Sequence, residues 1–301
     1  MNIQTNELNV FLKQKVFSTH IKNLLIKILY PFRNRFILFN VTAKAQKNRV
    51  NLNYWWEKPN LGDELSQIVV RYMLNLHNIP MDKPVHGIKH LYAIGSIITA
   101  GLQDCTIWGS GILCTTMLNR VKGRKFDIRS VRGPVSRIIL LDMGYEVPEI
   151  YGDPAIILSE IYVPSIVEKK YKYGVIIHKD QKFISSSDKA FMKRHDVLVI
   201  DIRTRNYERF VNQVVSCEKI ISSSLHGIII SETYRTPVLM HRPTSEPLLK
   251  YFDWYYSTER FFFPIAHNLD EVITLNAPPL PNLTKLRDEQ KRAFPYDLYE
   301  I

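Results

Sequence analysis

One short segment of this chain combines residue types that could transfer a proton. The segment Ile220 to Gly227 is an apolar run that leads into three serines and then into His226. A histidine side chain titrates near neutral pH, so His226 could act as a general acid or base beside these hydroxyls. The alternative is a histidine that caps a helix and takes no part in chemistry. This segment alone leaves both interpretations open.

Three further positions could bind an anion or orient hydroxyl groups. Residues 60–64 read Asn-Leu-Gly-Asp-Glu and open a predicted helix, whose backbone N–H groups could face an anion, although Asp63 could also be the helix cap. Arg132 ends a predicted strand and presents a planar fork suited to carboxylate or phosphate oxygens. Asp153 precedes a proline that can begin a helix, so it is either a cap or a base.

Two predicted strands end in a glycine followed by a serine. These ends are Gly95-Ser96 and Gly109-Ser110. Small residues would let a ligand approach the backbone, as in nucleotide-binding folds, but neither sequence is a GxGxxG fingerprint or a Walker loop. A tight turn without a ligand is the alternative.

The elements that must position these residues follow an α/β rhythm. Short β-branched or aromatic runs alternate with helical patterns, which predicts parallel sheets with crossover helices, and the pattern occurs twice. In the first set we predict strands at 50–55, 90–94, 106–108 and 128–131, with helices at 63–76 and 134–143. In the second set we predict strands at 174–178, 197–201, 219–222 and 238–241, with helices at 207–216 and 225–234. The candidate residues then lie at carboxyl ends of strands, where open α/β sheets bind ligands.

The most plausible boundary between the two sets lies at Pro164 and the charged run 168–172. We therefore expect a basic amphipathic segment over 1–45, a Rossmann-like domain over 46–168 and a second one over 169–275. A tail over 276–301 begins with three prolines within six residues and continues as a polar, helix-like stretch. We expect this tail to lie across the surface.

Composition excludes several classes of protein. The chain has 301 residues, 46% of them hydrophobic, and only three cysteines without a C-x-x-C pair. This argues against a disulfide framework and a cysteine-rich zinc site, and it favours a reducing cytoplasm. Because the sequence shows no cluster of metal ligands, we predict no metal site.

The net charge of +11 is concentrated near the amino terminus, where the first fifty residues contain nine Lys or Arg and one acid, Glu7. Residues 15–30 have apolar residues at helical spacing, and lysines interrupt every apolar run before it is long enough to span a bilayer. Residues 10–35 could therefore attach to an anionic membrane surface, or form a helix that packs on the protein's own core. No nucleic-acid-binding motif accompanies the charge, so we expect no nucleic-acid partner.

Taken in order, these segments resemble the polysaccharide pyruvyltransferase family, especially its bacterial exopolysaccharide and capsule branch. The matching segments are 60–64, the two Gly-Ser turns, 131–134, 151–154, 175–178, 222–227 and a late signature over 250–260. The resemblance implies two Rossmann-like domains of glycosyltransferase B type with the active site in the cleft between them. It also implies transfer of pyruvate from phosphoenolpyruvate to two hydroxyls of one sugar as a cyclic ketal, with no cofactor besides this donor substrate.

The resemblance also implies roles for individual residues. Family members contact phosphoenolpyruvate through a Leu-His pair, here Leu225 and His226, and through arginines. Some relatives carry Arg before this pair, where this chain has Ser224. Another cation must then meet the charge of the donor. The candidates for this cation are Arg132, Lys250 and Arg260.

The chemistry requires an acid to protonate the methylene carbon of phosphoenolpyruvate, a base for the attacking hydroxyls, and donors or cations for its carboxylate and phosphate. His226, His178 and Asp63 are the candidate catalytic residues. His178 could equally be a structural histidine at a strand end. The residues expected to face the sugar acceptor are Asn60, Asp63, Gly109, Ser110 and Asp153.

Two other functions fit the same fold class. One is a glycosyltransferase that uses a nucleotide sugar, and the other is a non-catalytic carbohydrate-binding protein. Acceptors in the family are sugars of surface polysaccharides, often lipid-linked. The resemblance thus implies a cytoplasmic enzyme, with attachment to the inner face of the cytoplasmic membrane if residues 10–35 bind lipid.

Overall fold

A computed structural model describes residues 45–55, 59–165, 168–178, 186–244 and 246–300. The predicted amphipathic helix over 15–30 lies outside these residues. In the described part of the chain, no helix combines the length and the apolar character needed to cross a membrane.

The first half of the chain forms a sheet of four parallel strands in the order β1-β2-β3-β4. The strands are β1 (Arg49–Asn53), β2 (Ile88–Tyr92), β3 (Cys105–Trp108) and β4 (Phe126–Ser130). Helix α1 (Leu61–Asn75) connects β1 to β2, and α2 (Pro134–Asp142) follows β4. A shift of register between β3 and β4 pairs Ile107 with Ile128 but Trp108 with Ser130, so Arg129 bulges out of the ladder.

The second half forms a sheet of five parallel strands in the order β6-β5-β7-β8-β9. The strands are β5 (Tyr171–Ile177), β6 (Val197–Asp201), β7 (Cys217–Ser222), β8 (Val238–His241) and β9 (Ile265–Ala266). The remaining helices are α3 (Leu158–Ile161), α4 (Ser186–Arg194), α5 (Tyr207–Val215), α6 (Leu225–Thr233), α7 (Leu249–Ser257) and α8 (Thr284–Arg292). Short 3-10 turns cover Thr115–Arg120, Pro154–Ile157, Leu269–Ile273 and Tyr296–Tyr299.

The prediction of an α/β fold with parallel sheets is confirmed. The helix predicted over 63–76 begins earlier, at Leu61, and Asn60 occupies its N-cap position. The interpretation of Asp63 as the cap was therefore wrong, because Asp63 lies within the first turn. Similarly, Ser224 caps α6 by accepting a hydrogen bond from the Gly227 N–H, so His226 is not the capping residue.

One face of the tail packs against the first sheet, while most of its residues remain exposed or half-buried. The indole N–H of Trp108 donates to the Gln290 carbonyl at 2.8 Å, and the Phe294 ring meets the Trp108 ring edge-on with centroids 4.8 Å apart. Gln290 is 0% exposed and Phe294 is 4% exposed. The polar stretch concealed this packing, since the few apolar residues that enter the core are separated by charged ones.

Phe294→Ala should lower the free energy of unfolding by about 3–5 kcal/mol, because it leaves a cavity beside Trp108. Chemical denaturation monitored by circular dichroism would measure the change. The matched control is Phe262→Ala, since Phe262 is 96% exposed and its truncation should change stability by about 0.5 kcal/mol or less. Equal effects of the two substitutions would contradict the packing of the tail on the first sheet.

Candidate functional site

The carboxyl ends of strands from both sheets lie close to the amino-terminal end of α1. Leu61, at the start of α1, donates its backbone N–H to the carbonyl of Ile202, just beyond β6, at 2.9 Å. Gly62 lies against the imidazole ring of His226, which follows β7. A segment of the first half therefore meets strand exits of the second sheet.

His226 and Asp153 face each other at this junction. His226 Nε2 lies 3.5 Å from Asp153 Oδ2, and neither atom has a hydrogen-bond partner among the described residues. The residues are 8% and 0% exposed, respectively. The other carboxylate oxygen of Asp153 accepts the Ala155 N–H at 3.0 Å, which caps a 3-10 turn and fixes the carboxylate. A small movement would place the carboxylate in hydrogen-bonding distance of the ring, where it would fix the ring's orientation.

Gly62 is required by this arrangement. A Cβ atom at position 62 would lie 1.9 Å from His226 Nδ1, which is far inside van der Waals contact. The glycine thus lets the helix backbone approach one edge of the ring while Asp153 faces the other. From the sequence, Gly62 and Asp63 were of interest for their backbone N–H donors. In the structure, Gly62 matters because it has no side chain.

The three serines before His226 build the strand exit. Ser222 Oγ donates to the Ser224 carbonyl at 2.9 Å, and Ser223 Oγ accepts the backbone N–H of His178 at 2.9 Å. The hydroxyl of Tyr251 donates to the Ser223 carbonyl at 2.6 Å. These bonds tie the ends of β5 and β7 to α7, so His178 and His226 stand at the same edge of the second sheet.

Glu246, a further titratable residue at this edge, was not predicted from the sequence. Glu246 Oε2 accepts a hydrogen bond from Lys250 Nζ at 2.9 Å, and its other oxygen lies 3.6 Å from His178 Nε2. Burial lowers the pKa of Lys250, and the Glu246 carboxylate only partly offsets this effect. Arg132 and Asp63 also act on Lys250, lowering and raising its pKa, respectively, so the lysine lies within their electrostatic reach. The only sequence signal for Glu246 is its i,i+4 spacing from Lys250.

Arg132 is held in a fully buried ion pair with Asp253 on α7. Its Nε and Nη2 atoms lie 3.1 and 3.0 Å from Asp253 Oδ2, and Nη1 donates to Ser96 Oγ at 2.6 Å. Gly111 and Gly133 leave the space that the pair occupies, since a Cβ at either position would collide with Arg132 or Asp253. Arg132 was a candidate to bind the anionic donor substrate through its positive charge. In the structure, the Asp253 carboxylate neutralises this charge. Arg129 instead faces outward, with Asp127 and Asp297 as partners.

Arg260 lies apart from this cluster. Its guanidinium pairs through two nitrogens with Glu232, at 2.5 and 2.9 Å. Glu232 is six residues beyond His226 on α6, or about 9 Å along the helix axis. The structure therefore places Arg260 beside Glu232, and its contact with the donor substrate stays a prediction.

The two residues of the second Gly-Ser turn face the protein interior. Ser110 is fully buried, and its hydroxyl donates to the Gly95 carbonyl at 2.8 Å, which joins two strand exits. Gly109 adopts a φ of +76° and packs on Pro154, directly behind Asp153. Both were expected to face the acceptor, and that role stays a prediction; in the structure they support neighbouring strand exits. Asn60 donates its side-chain N–H to Asp63 Oδ2 at 2.5 Å, so these two expected acceptor residues form one unit.

The assembled site contains acid–base groups, a buried ammonium and helix amino termini. Among the described residues, no group of three or more His, Cys, Asp or Glu side chains could hold a metal ion. The amino terminus of α6, which carries Leu225 and His226, offers backbone N–H groups to an anion. Together, these groups could transfer protons and bind a small anionic substrate.

Gly62→Ala should cost about 1–3 kcal/mol of stability through overpacking against His226, although alanine is the better helix former. The same substitution in a His226→Ala background should be neutral or stabilising, because the colliding ring is absent. Urea denaturation of the four proteins of this double-mutant cycle would measure the coupling. An equal cost in both backgrounds would show that the ring does not rest on Gly62.

Comparison with known proteins supports the order of segments read from the sequence. The sequence profile of the family described as polysaccharide pyruvyl transferase matches residues 60–240. This range includes the amino terminus of α1, Arg132, Asp153, His178 and the Ser222 to Gly227 segment.

Individual relatives are distant. An uncharacterized protein of Acanthamoeba polyphaga mimivirus is 26% identical over 222 residues, which cover 71% of this chain and 76% of the relative. The succinoglycan biosynthesis protein ExoV of Rhizobium meliloti is 25% identical over 191 residues, which cover 61% of this chain and 57% of ExoV. A solved structure of a functionally uncharacterized protein from Klebsiella pneumoniae has a TM-score of 0.44 and 13% identity, covering 77% of this chain and 93% of that one.

Proposed function

This chain belongs to the polysaccharide pyruvyl transferase family, and from that premise we propose that it transfers pyruvate from phosphoenolpyruvate onto two hydroxyls of one sugar, forming a cyclic ketal. The observation that carries this proposal is the buried pair of His226 and Asp153, with 3.5 Å between Nε2 and Oδ2, at the meeting point of strand exits. The family and the similarity to a succinoglycan biosynthesis protein support pyruvyl transfer onto a polysaccharide.

We propose that each parallel sheet is the centre of one Rossmann-like domain, over 46–168 and 169–275, in a glycosyltransferase B arrangement with the active site in the cleft between them. The strands support this division, since β1 to β4 end at Ser130 and β5 begins at Tyr171. The contacts of Leu61 with Ile202 and of Gly62 with His226 would then cross the cleft.

In the proposed reaction, an acid protonates the methylene carbon of phosphoenolpyruvate, and the central carbon becomes electrophilic. One sugar hydroxyl adds to this carbon and gives up its proton to a base. The second hydroxyl then adds and gives up its own proton as the C–O bond to phosphate breaks and phosphate leaves with the bonding electrons. The products are the ketal and inorganic phosphate. We assign proton transfer to His226, oriented by Asp153, and to His178 beside Glu246.

The carboxylate and phosphate of phosphoenolpyruvate require cationic or hydrogen-bond-donating partners. We propose that Lys250 and the backbone N–H groups at the amino terminus of α6 bind the carboxylate and phosphate. Ser224 supports this assignment, because its hydroxyl caps the helix and adds no negative charge there. Asn60 and Asp63 would orient the sugar hydroxyls.

The proposal is tested by incubating the purified protein with phosphoenolpyruvate and a panel of lipid-linked and free oligosaccharides. Phosphate release together with the mass gain of a pyruvate ketal on the acceptor is the expected result. Release of phosphate without formation of a ketal would contradict the proposed transfer. Turnover of a UDP- or GDP-sugar without any response to phosphoenolpyruvate would indicate a glycosyltransferase, and glycan binding without turnover would indicate a binding protein.

His226→Asn should lower kcat by about 10²–10⁴, the usual contribution of a positioned general acid or base. Asp153→Asn should lower kcat by a smaller factor, because it leaves the ring in place but weakens its orientation. His267→Asn is the matched control, since His267 is an exposed histidine outside the segments that resemble the family. A His226→Asn enzyme with unchanged kcat and an unchanged melting temperature would remove His226 from the mechanism.

We propose further that residues 10–35 attach the enzyme to the inner face of the cytoplasmic membrane, where a lipid-linked acceptor would be present. Deletion of residues 1–45 should reduce sedimentation with anionic vesicles far more than it reduces turnover of a soluble acceptor, because the basic amphipathic segment would supply the lipid contact. Equal loss of both would instead point to a segment that packs on the protein's core.

A further inference from the structure

A groove of about 430 Å³ follows one side of α1. Glu64, Gln67, Arg71 and Asn75 form one wall at helical spacing, and the start of α5 forms the opposite wall. The groove begins one residue from Asp63 and extends over twelve residues of α1, or about 16 Å along its axis. Its first lining residue on α1, Glu64, directly follows Asp63 of the proposed acceptor end, and the groove is longer than a single sugar ring.

The groove offers polar donors that the protein itself leaves unused. Arg71 and Asn75 make no side-chain hydrogen bond to any described residue, and both are exposed. On the opposite wall, Arg205 uses only its Nε, which donates to Glu64 Oε1 at 3.0 Å, so its terminal nitrogens remain open to a ligand within the described structure. Forked and amide donors of this kind bind adjacent hydroxyl or carboxylate oxygens.

Two tyrosines supply apolar faces between these donors. Tyr72 is fixed by its hydroxyl, which donates to Glu160 Oε2 at 3.0 Å, and Tyr207 packs edge-on against Tyr162. Both rings line the groove. Sugar rings have apolar C–H faces and hydroxyl edges, so ordered aromatic rings beside planar donors match the chemistry of a saccharide.

A second cavity of about 450 Å³ has a similar mixture of side chains but a different location. It runs along α5, where Arg209 and Gln213 are among its lining residues, and it includes no residue of α1. This cavity is therefore a control for side-chain composition away from α1.

We propose that the groove along α1 is a subsite for the acceptor, and that it binds sugar residues beyond the one that receives pyruvate. This inference rests on the proposed function and narrows it: the preferred acceptor is an oligosaccharide rather than a single sugar. The Glu64 and Arg205 contact lies at the end of the groove nearest Asp63, so the ligand would pass this contact before it reaches the acid–base groups.

The test uses the full-length protein and a panel of neutral and uronic-acid tetrasaccharides with their monosaccharides. Isothermal titration without phosphoenolpyruvate compares wild type, the groove variant Arg71→Ala/Asn75→Ala and the control variant Arg209→Ala/Gln213→Ala. We expect at least one tetrasaccharide to bind the wild type more tightly than its monosaccharide. The groove variant should bind that tetrasaccharide about tenfold more weakly, through the loss of two hydrogen-bonding side chains, whereas the control variant should match the wild type.

Turnover separates the subsite from the reaction. In the groove variant, KM for the tetrasaccharide should rise while kcat and the KM for the monosaccharide stay constant. The subsite is overturned if no tetrasaccharide binds better than its monosaccharide, or if the groove and control variants behave alike. If ketal forms equally well on short and long acceptors, the subsite fails and the proposed function stands. If no acceptor consumes phosphoenolpyruvate, the proposed function fails, and the titration still decides whether the groove binds saccharide.

Discussion

The buried ion pair between Arg132 and Asp253 is the constraint on which the rest of the site depends. It joins the exit of β4 in the first sheet to α7, which belongs to the second half of the chain. Removing one partner of such a pair costs about 3–5 kcal/mol, because the other charge is left uncompensated. Asp253 also accepts hydrogen bonds from the backbone and hydroxyl of Ser136, at 2.9 and 2.6 Å, so the carboxylate fixes α7 against α2 as well. Gly111 and Gly133 leave room for the ion pair, because a side chain at either position would collide with it.

This pair positions other groups through α7. Lys250 lies one turn before Asp253 on α7, and Glu246 joins that lysine to His178. An apolar pair of similar volume would give comparable or greater stability, so stability alone does not account for the buried charges. The pair instead fixes the direction of α7, and with it the place of an ammonium whose pKa is lowered by burial. The proposed contact between Lys250 and phosphoenolpyruvate therefore depends on Arg132, which is itself buried away from that substrate.

The sequence was sufficient to predict strands β1 to β8 and helices α1, α2, α5 and α6, but not β9, α3, α4 or α7. It also predicted the edge of each sheet at which chemistry could occur, because strand exits are marked locally by apolar runs that end in glycine, serine or histidine. It was insufficient to predict which side chains contact each other across the fold. Arg132 was correctly placed at a strand exit, but Asp253 lies 121 residues later and no local pattern connects the two. The same holds for Asp153 and His226, and for Trp108 and the tail residue Phe294. These pairings follow from the order of strands and the path of the tail, which are properties of the tertiary fold.

Neither half of the chain contains the complete set of groups that the proposed reaction needs. The first half supplies the carboxylates Asp63 and Asp153, while the second supplies His178, His226 and the ammonium of Lys250. Gly62 contacts one edge of the His226 ring and Asp153 faces another, so both of these neighbours of the ring belong to the first half. A change in the relative position of the two halves would thus disturb the acid–base pair and the lysine together. The contacts that join the halves are therefore part of the proposed catalytic apparatus, although they never touch the substrate.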